Sequence, residues 1–152
     1  MAVRVVLVRH AEPAGAYGGV ADPGLSAAGE EQAQATAMAL DRAAAGSLVL
    51  SSPLRRARAT AAALEAPWLR WSDVGGVVAT WRDGLVGTLL ALPEYAVAFT
   101  HFVAINAAVG AATGDERLAC CSPGYCSRTM LQVRGDELTL VELGAQTRTV
   151  VR

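Results

Sequence analysis

The sequence predicts an α/β protein: a three-layer α/β/α sandwich with a mainly parallel sheet and a C-terminal β-hairpin. Short runs of β-branched and other apolar residues alternate with longer Ala-rich segments, as in parallel strands joined by helical crossovers. Two alternating runs near the end of the chain are separated by a turn, which is typical of a hairpin. At 152 residues the chain can bury one substantial core, so we expect a single domain over residues 1–152.

The first strand and helix are separated by an irregular loop. Val3 to Val8 is a short β-branched run that suits a central strand buried on both faces. The Gly/Pro-rich segment from Ala11 to Gly24 follows neither the helical nor the strand period. Ser26 can cap the next helix, which we expect to reach about Ala45.

A second strand and helix follow directly. Leu48 to Leu50 is predicted to be a buried strand. Ser52 is a candidate N-cap with Pro53 at the first helical position, so we expect a helix from there to about Leu64.

The rest of the chain is predicted to add two helices, one buried strand and the hairpin. Residues 68–92 are the least regular stretch, with helical character from about Val77 onward. The remaining elements are a strand over Tyr95–Thr100, a helix over Phe102–Ala112, and hairpin strands over Ser127–Val133 and Glu137–Leu143.

Composition and charge exclude several classes of protein. A hydrophobic content of 53% excludes a disordered chain, and a net charge of −1 gives no electrostatic reason to expect nucleic acid or an anionic membrane as a partner. Tyr95 to Gly114 contains no charged side chain, but a buried strand followed by a buried helix explains it better than a membrane span. We see no signal peptide, and we expect a cytoplasmic protein with ordinary thiols at its three cysteines.

Both histidines of the chain come directly after strand-like runs. His10 follows Val3 to Val8 by way of Arg9, and His101 follows Tyr95 to Thr100. Because ligands of open parallel sheets bind outside the carboxyl ends of the strands, we expect the two imidazoles to meet there. The alternative interpretation is that each is a hydrogen-bonded histidine in a turn.

Arg56 lies in or near the first turn of the predicted second helix, between Arg55 and Arg58. A cation there is disfavoured by about 0.3–1 kcal/mol, because the helix dipole is already positive at its N-terminus. Three such cations suggest that an anion balances them, and helix N-termini and Arg side chains both bind phosphate. A solvated basic face is the alternative, and it accounts best for Arg58 and Arg55.

Two imidazoles and the guanidiniums of Arg9 and Arg56 would form a site suited to phosphate. Neutral imidazole is a competent nucleophile toward phosphorus, and adjacent arginines lower its pKa by like-charge repulsion. The arginines and the second histidine would stabilise charge on the equatorial oxygens. The sequence shows neither a metal-ligand cluster nor a Walker-type loop, so we expect no metal, nucleotide or other cofactor.

Four segments carry motifs that support this interpretation: Val5 to Glu12, Asp22 to Ala33, Ser51 to Ala61, and Phe99 to His101. In this order and in these structural settings they resemble the histidine phosphatase superfamily, which includes the phosphoglycerate mutase-like phosphatases. The chain resembles a short member of that family.

The resemblance implies a role for each of four residues. His10 would be the nucleophile that becomes phosphohistidine, and water would then hydrolyse the intermediate. Arg9, Arg56 and His101 would bind the transferred phosphoryl group, and the family motif selects Arg56 over its neighbour Arg55 as the phosphate ligand.

The chain departs from the family pattern on the substrate side. Phe102 stands where a small residue often follows the second histidine, so we expect a narrower pocket and altered specificity. Gly18 and Gly19 fall in the loop that contacts substrate in relatives. The asparagine common a few residues after the first histidine is absent, since Pro13 to Tyr17 contains none.

Relatives usually carry, between the second helix and the third strand, a longer segment with a carboxylic acid that protonates the leaving oxygen. General acid catalysis is typically worth 10²–10⁴-fold, so its loss would slow alkyl phosphates far more than phosphohistidine or aryl phosphates. The carboxylic acids available in the short segment of this chain are Glu65, Asp73, Asp83 and Glu94.

Two functions therefore stay open at the level of sequence. The first is a phosphatase that acts on small phosphomonoesters or phosphohistidine, with a small phosphorylated substrate or a phosphoprotein as its partner. The second is a phosphate-binding relative that keeps the pocket and lacks turnover. A mutase is less favoured, because the chain is short of cap-forming insertions, and a homodimer is possible.

Overall fold

The computed structural model describes residues 2–15, 22–44, 47–67, 69–71 and 78–147. These ranges contain six strands and four helices. In chain order the elements are β1 (Val3–Arg9), α1 (Ala27–Ala44), β2 (Leu48–Ser51), α2 (Arg55–Ala62), β3 (Leu69–Arg70), α3 (Val78–Leu90), β4 (Ala96–Thr100), α4 (Phe102–Thr113), β5 (Arg128–Arg134) and β6 (Glu137–Glu142).

The six strands form one sheet in the order β3-β2-β4-β1-β5-β6. The first four strands in this order are parallel to one another, whereas β5 is antiparallel to both β1 and β6. The hairpin turn consists of Gly135 and Asp136, and Gly135 has a φ of 61°, which glycine adopts without strain. The predicted α/β class, the mainly parallel sheet and the C-terminal hairpin are confirmed.

Alternate residues of the central strands point into two separate apolar layers. On one face Val5 and Leu7 pack with side chains of α3 and α4, among them Leu89 and Ile105. On the other face Val6, Val8, Val49, Val97 and Phe99 pack with Leu40 of α1 and Ala61 of α2. Both faces of β1 and β4 are thereby removed from water, which explains why their sequences are continuous apolar runs.

Two details differ from the sequence-based expectations. Helix α2 begins at Arg55 rather than at Pro53, and its N-cap residue Leu54 makes no side-chain capping hydrogen bond. Ser52 lies two residues before the N-cap, and its hydroxyl oxygen accepts the amide of Leu54 at 3.3 Å and contacts His101. The two-residue strand β3 was not anticipated, since Leu69 and Arg70 are too short a run to show a period.

The uncharged stretch from Tyr95 to Gly114 forms β4 and α4, as expected. Among the helices of the described ranges, none combines the length and the apolar character that a membrane span needs.

Helix α1 starts as predicted and packs closely on the loop after β1. The hydroxyl of Ser26 accepts a hydrogen bond from the Gly29 amide at 3.0 Å, so Ser26 is the N-cap. A Cβ atom at Gly29 would collide with the backbone carbonyl of Glu12. Glycine at position 29 therefore allows the helix to approach the two residues that follow His10.

We expect Gly29→Ala to lower the free energy of unfolding by roughly 1–3 kcal/mol, because backbone must move to admit the methyl group. The matched control is Gly84→Ala in α3, where an added Cβ has nothing within 4 Å. That change should raise stability by about 0.5–1 kcal/mol, since alanine favours helix more than glycine does. Urea unfolding of both variants measures the difference, and equal effects would contradict the close-approach explanation.

Candidate functional site

The four predicted catalytic residues lie together at the carboxyl edge of the parallel strands. The amide of His10 donates to the carbonyl of Thr100 at 3.0 Å, and the amide of Ser52 donates to that of Phe99, also at 3.0 Å. These bonds continue the strand pairing beyond the ends of β1 and β2. The residues that follow β1, β2 and β4 are consequently held at one level, as expected for the binding edge of a parallel sheet.

His10 is fully buried, and its two ring nitrogens have distinct partners. Nδ1 lies 2.8 Å from the carbonyl oxygen of Ala11, which can only accept, so Nδ1 carries the proton. Nε2 therefore holds the lone pair, and the Nε–H of Arg56 donates to it at 3.3 Å. The unprotonated nitrogen of His10 is therefore the one that faces Arg56.

His101 is positioned by Ser52. The two residues are 49 apart in sequence, yet Nε2 of His101 lies 2.6 Å from the Ser52 hydroxyl oxygen. That oxygen also accepts a hydrogen bond from the Leu54 amide at 3.3 Å, so Ser52 joins His101 to the segment that leads into α2. The rings of His10 and His101 have centroids 5.3 Å apart, with 56° between their planes.

Arg56 is the second residue of α2, in the first helical turn as predicted. Two side chains fix this turn against the N-terminal part of the chain. Asp22 accepts the amide of Arg55 at 2.9 Å, and Thr60 accepts the amide of Ala11 at 2.9 Å while donating to the Arg56 carbonyl. The loop after His10 and the helix that carries Arg56 are thus directly joined.

Arg9 is held by a segment that sequence reasoning did not connect with the site. Its Nη1 donates to the carbonyl of Pro123 at 2.9 Å, and its Cζ lies 4.3 Å from the ring centroid of Tyr125. The ring of Phe102 is 5.5 Å away. Tyr125 also lies near the nucleophile, with 6.0 Å between its ring centroid and that of His10. Phe102 was expected to narrow the pocket; here its ring contacts the phosphate-binding candidate Arg9.

The pKa of both histidines is lowered to about 3, mainly by burial, and the neighbouring arginines contribute to the lowering. For His10 the contact with the Ala11 carbonyl opposes this effect. For His101 the neighbouring His10 is the largest cause after burial. Repulsion by the arginines was expected to lower the pKa of His10, and burial is the larger cause. Both rings are neutral at physiological pH.

The carboxylic acids of the short middle segment do not gather at this edge. Glu94 precedes β4, so the five residues of that strand separate it from the site by about 15 Å. Glu65 lies three residues beyond the C-terminal end of α2, whose first turn carries Arg56. Asp83 is exposed in the second turn of α3. Asp73, Gly18 and Gly19 lie outside the described residues.

The cysteines are free thiols in a supporting loop. Cys121 donates its amide to the Asn106 carboxamide oxygen at 2.8 Å, and the thiol of Cys120 lies 3.5 Å from the Asn106 carbonyl. Within the described ranges, no group of three or more His, Cys, Asp or Glu residues could hold a metal ion.

Comparison with known proteins identifies a family over the first half of the chain. Residues 5–73 match the model of the histidine phosphatase superfamily (branch 1), which confirms the resemblance. No curated protein matches the chain.

Solved structures of phosphatases share the fold over nearly the whole chain. A phosphoserine phosphatase from Entamoeba histolytica, in complex with 3-phosphoglyceric acid, has a TM-score of 0.75 at 16% identity, covering 95% of this chain and 98% of that one. A candidate phosphohistidine phosphatase, SixA, from Agrobacterium tumefaciens has a TM-score of 0.72 at 23% identity, with coverages of 95% and 99%. A mycobacterial glucosyl-3-phosphoglycerate phosphatase has a TM-score of 0.70 at 22% identity, with coverages of 96% and 100%. At these identities the likeness establishes the fold.

We expect replacement of Ser52 by Ala to change the protonation pattern of His101, because the hydroxyl that lies 2.6 Å from Nε2 is lost. The ¹⁵N shifts of the imidazole at neutral pH should report one tautomer in the wild type and a mixture of both tautomers in the variant. Ser51→Ala is the matched control, since Ser51 is equally buried but donates to the Ser52 carbonyl. Unchanged ¹⁵N shifts in Ser52→Ala would contradict the assigned hydrogen bond.

The lowered pKa values predict how stability depends on pH. The unfolded chain protonates both histidines below about pH 6.5, whereas the folded chain keeps them neutral down to about pH 3. Because the unfolded state binds more protons in this window, the free energy of unfolding should fall as pH decreases from 6.5 toward 3. Urea midpoints at pH 7 and pH 5 should differ more in the wild type than in the double variant His10→Gln/His101→Gln. Equal differences in both proteins would refute this explanation.

Proposed function

We propose that the chain, whose residues 5–73 match the histidine phosphatase superfamily, hydrolyses a phosphomonoester or phosphohistidine through phosphorylated His10. The observation that carries the proposal is the Nε2 atom of a buried, neutral His10, with its lone pair beside the guanidinium of Arg56 at 3.3 Å. The family and the structural neighbours support phosphatase activity in general; the mechanism and the substrate class are our inference.

In the first step the Nε2 lone pair of His10 attacks phosphorus, and the bond from phosphorus to the leaving atom breaks. The Ala11 carbonyl that accepts from Nδ1–H opposes rotation of the ring and stabilises the positive charge that the imidazole acquires. Because burial keeps the pKa of His10 near 3, no proton has to leave the ring before it attacks.

The transferred phosphoryl group carries its charge on three equatorial oxygens, and preorganised donors around it supply the stabilisation. In this proposal the guanidiniums of Arg56 and Arg9 and the Nδ1–H of His101 are those donors. Water then attacks phosphorus, the P–N bond breaks, and inorganic phosphate leaves with the proton that the water loses. No step requires a metal ion or another cofactor.

Substrates whose leaving group needs little protonation, such as phosphohistidine or an aryl phosphate, are the class that we favour, because their turnover depends least on a general acid. Among the candidate acids of the middle segment that the structure describes, Glu94 lies at the amino end of β4, away from His10. The structural neighbours include a phosphoserine phosphatase and a candidate phosphohistidine phosphatase, one for each of the two substrate types in our proposal.

We expect the wild-type chain to hydrolyse p-nitrophenyl phosphate in the presence of a metal chelator and His10→Ala to have no measurable turnover. Lack of the nucleophile removes the covalent step, whereas the phosphate-binding groups remain. Between pH 5 and pH 8 the rate should be nearly constant, because both histidines titrate below that range.

The control for folding is the circular dichroism spectrum of both proteins, and glycerol phosphate serves as the alkyl comparison. The alkyl phosphate should react at least about 10²-fold more slowly than the aryl phosphate if general acid catalysis is absent. Equal activity of wild type and His10→Ala, in folded protein that still binds phosphate, would refute the phosphatase and favour the non-catalytic binding protein.

A further inference from the structure

Tyr125 belongs to the part of the chain outside the family match, yet it contacts two residues of the site. Its ring centroid lies 4.3 Å from Cζ of Arg9 and 6.0 Å from the ring centroid of His10. A guanidinium within about 6 Å of a ring centroid is attracted by the electron-rich face of the ring. Tyr125 is therefore close to both the candidate nucleophile and one candidate phosphate ligand.

Arg9 needs such a partner, because it is almost fully buried and makes few hydrogen bonds to the described residues. Only 4% of Arg9 is exposed. Its Nη1 donates to the Pro123 carbonyl, whereas its Nε has no hydrogen-bond partner in the described part of the chain. One hydrogen bond leaves a guanidinium free to rotate about that contact, and the aromatic ring at 4.3 Å limits this rotation.

We propose that Tyr125 is a positioning residue for Arg9: its aromatic ring holds the guanidinium in place so that the remaining N–H groups meet a phosphate beside His10. This inference deepens the proposed function and rests on it. The ring, rather than the phenolic hydroxyl, carries the role, because the contact that the structure shows is between the guanidinium and the ring.

The loop that presents Tyr125 is fixed independently of Arg9 side-chain contacts. The Gly124 amide donates to the Ala145 carbonyl at 2.9 Å, and the Cys126 amide donates to the Arg9 carbonyl at 2.9 Å. In the same loop, the amide of Cys121 donates a hydrogen bond to the carboxamide oxygen of the buried Asn106 in α4. The loop therefore holds the Tyr125 ring in place before phosphate binds. Because the ring contacts the Arg9 guanidinium, little side-chain entropy of Arg9 is lost when phosphate binds.

The test compares Tyr125→Leu, which removes the ring, with Tyr125→Phe, which keeps it. Tyr95→Leu is the control, because Tyr95 is similarly half-buried and lines the same surface pocket as Tyr125, but it lies at the amino end of β4, away from His10 and Arg9. The probe is inorganic phosphate, whose affinity is measured by calorimetry at pH 7.5. Steady-state kinetics with p-nitrophenyl phosphate are measured in parallel.

We expect Tyr125→Leu to bind phosphate about 10-fold more weakly and to raise KM by a similar factor, with a smaller effect on kcat. Tyr125→Phe should restore most of the affinity, and Tyr95→Leu should match the wild type. The Nε–H proton resonance of Arg9 should be shifted upfield by the ring current in the wild type and in Tyr125→Phe, and should lose that shift in Tyr125→Leu.

Wild-type phosphate affinity in Tyr125→Leu would overturn the inference. Equal losses in Tyr125→Phe and Tyr125→Leu would also overturn it, because the hydroxyl would then be the important group. If the wild type binds phosphate with the expected pattern but does not turn over substrate, the proposed function fails while the positioning role stands. Absence of phosphate binding by the wild type would overturn both.

Discussion

The parallel pairing of β1 with β4 is the constraint on which the site depends. The two strands are aligned so that Arg9 pairs with Thr100, and the His10 amide bonds to the Thr100 carbonyl. Each strand therefore ends immediately before its histidine, at the same level of the sheet. A shift of one residue in this register would move an imidazole to the opposite face and separate the two rings. The apolar side chains buried on both faces of β1 and β4 make that register specific.

Burial of polar groups at this edge has an energetic consequence. Two imidazoles and the Arg9 guanidinium are almost entirely removed from water, and Arg56 donates into the same cluster. The imidazoles remain neutral because charging them here would require desolvation next to existing positive charge. An arriving phosphate dianion would relieve the repulsion between the arginines. The same burial that disfavours protonation thus prepares the site for an anion and leaves a lone pair available on His10.

The groups around this cluster come from distant parts of the chain, and each constrains one side of it. Ser52 orients His101, Thr60 joins the His10 loop to α2, and the loop containing Pro123 and Tyr125 holds Arg9. The carboxylic acids of the middle segment that the structure describes do not contribute. Among the described residues, the cluster therefore combines oriented imidazoles with two guanidiniums, and this combination is the basis of the function that we propose.

Local sequence patterns were sufficient for the strands and helices that are long and continuously apolar. The runs that became β1 and β4, the Ser26 cap of α1 and the hairpin were all predicted, because each depends on neighbours within a few residues. The start of α2 was wrong by two residues, because the Ser52 oxygen accepts the amide of Leu54, which is itself the N-cap, rather than an amide of the first helical turn. Strand β3 was missed because two residues cannot display a period.

The sequence by itself determined that the two histidines follow strands, and it predicted that they would lie with Arg9 and Arg56 at one edge of the sheet. Only the tertiary structure decided which nitrogen of His10 holds the lone pair, and that Tyr125 and Pro123 hold Arg9. It also decided that burial is the main cause of the low histidine pKa values. The physical reason is that residue type and strand position are local properties, whereas hydrogen-bond partners and desolvation depend on segments that meet only when the sheet and its loops have assembled.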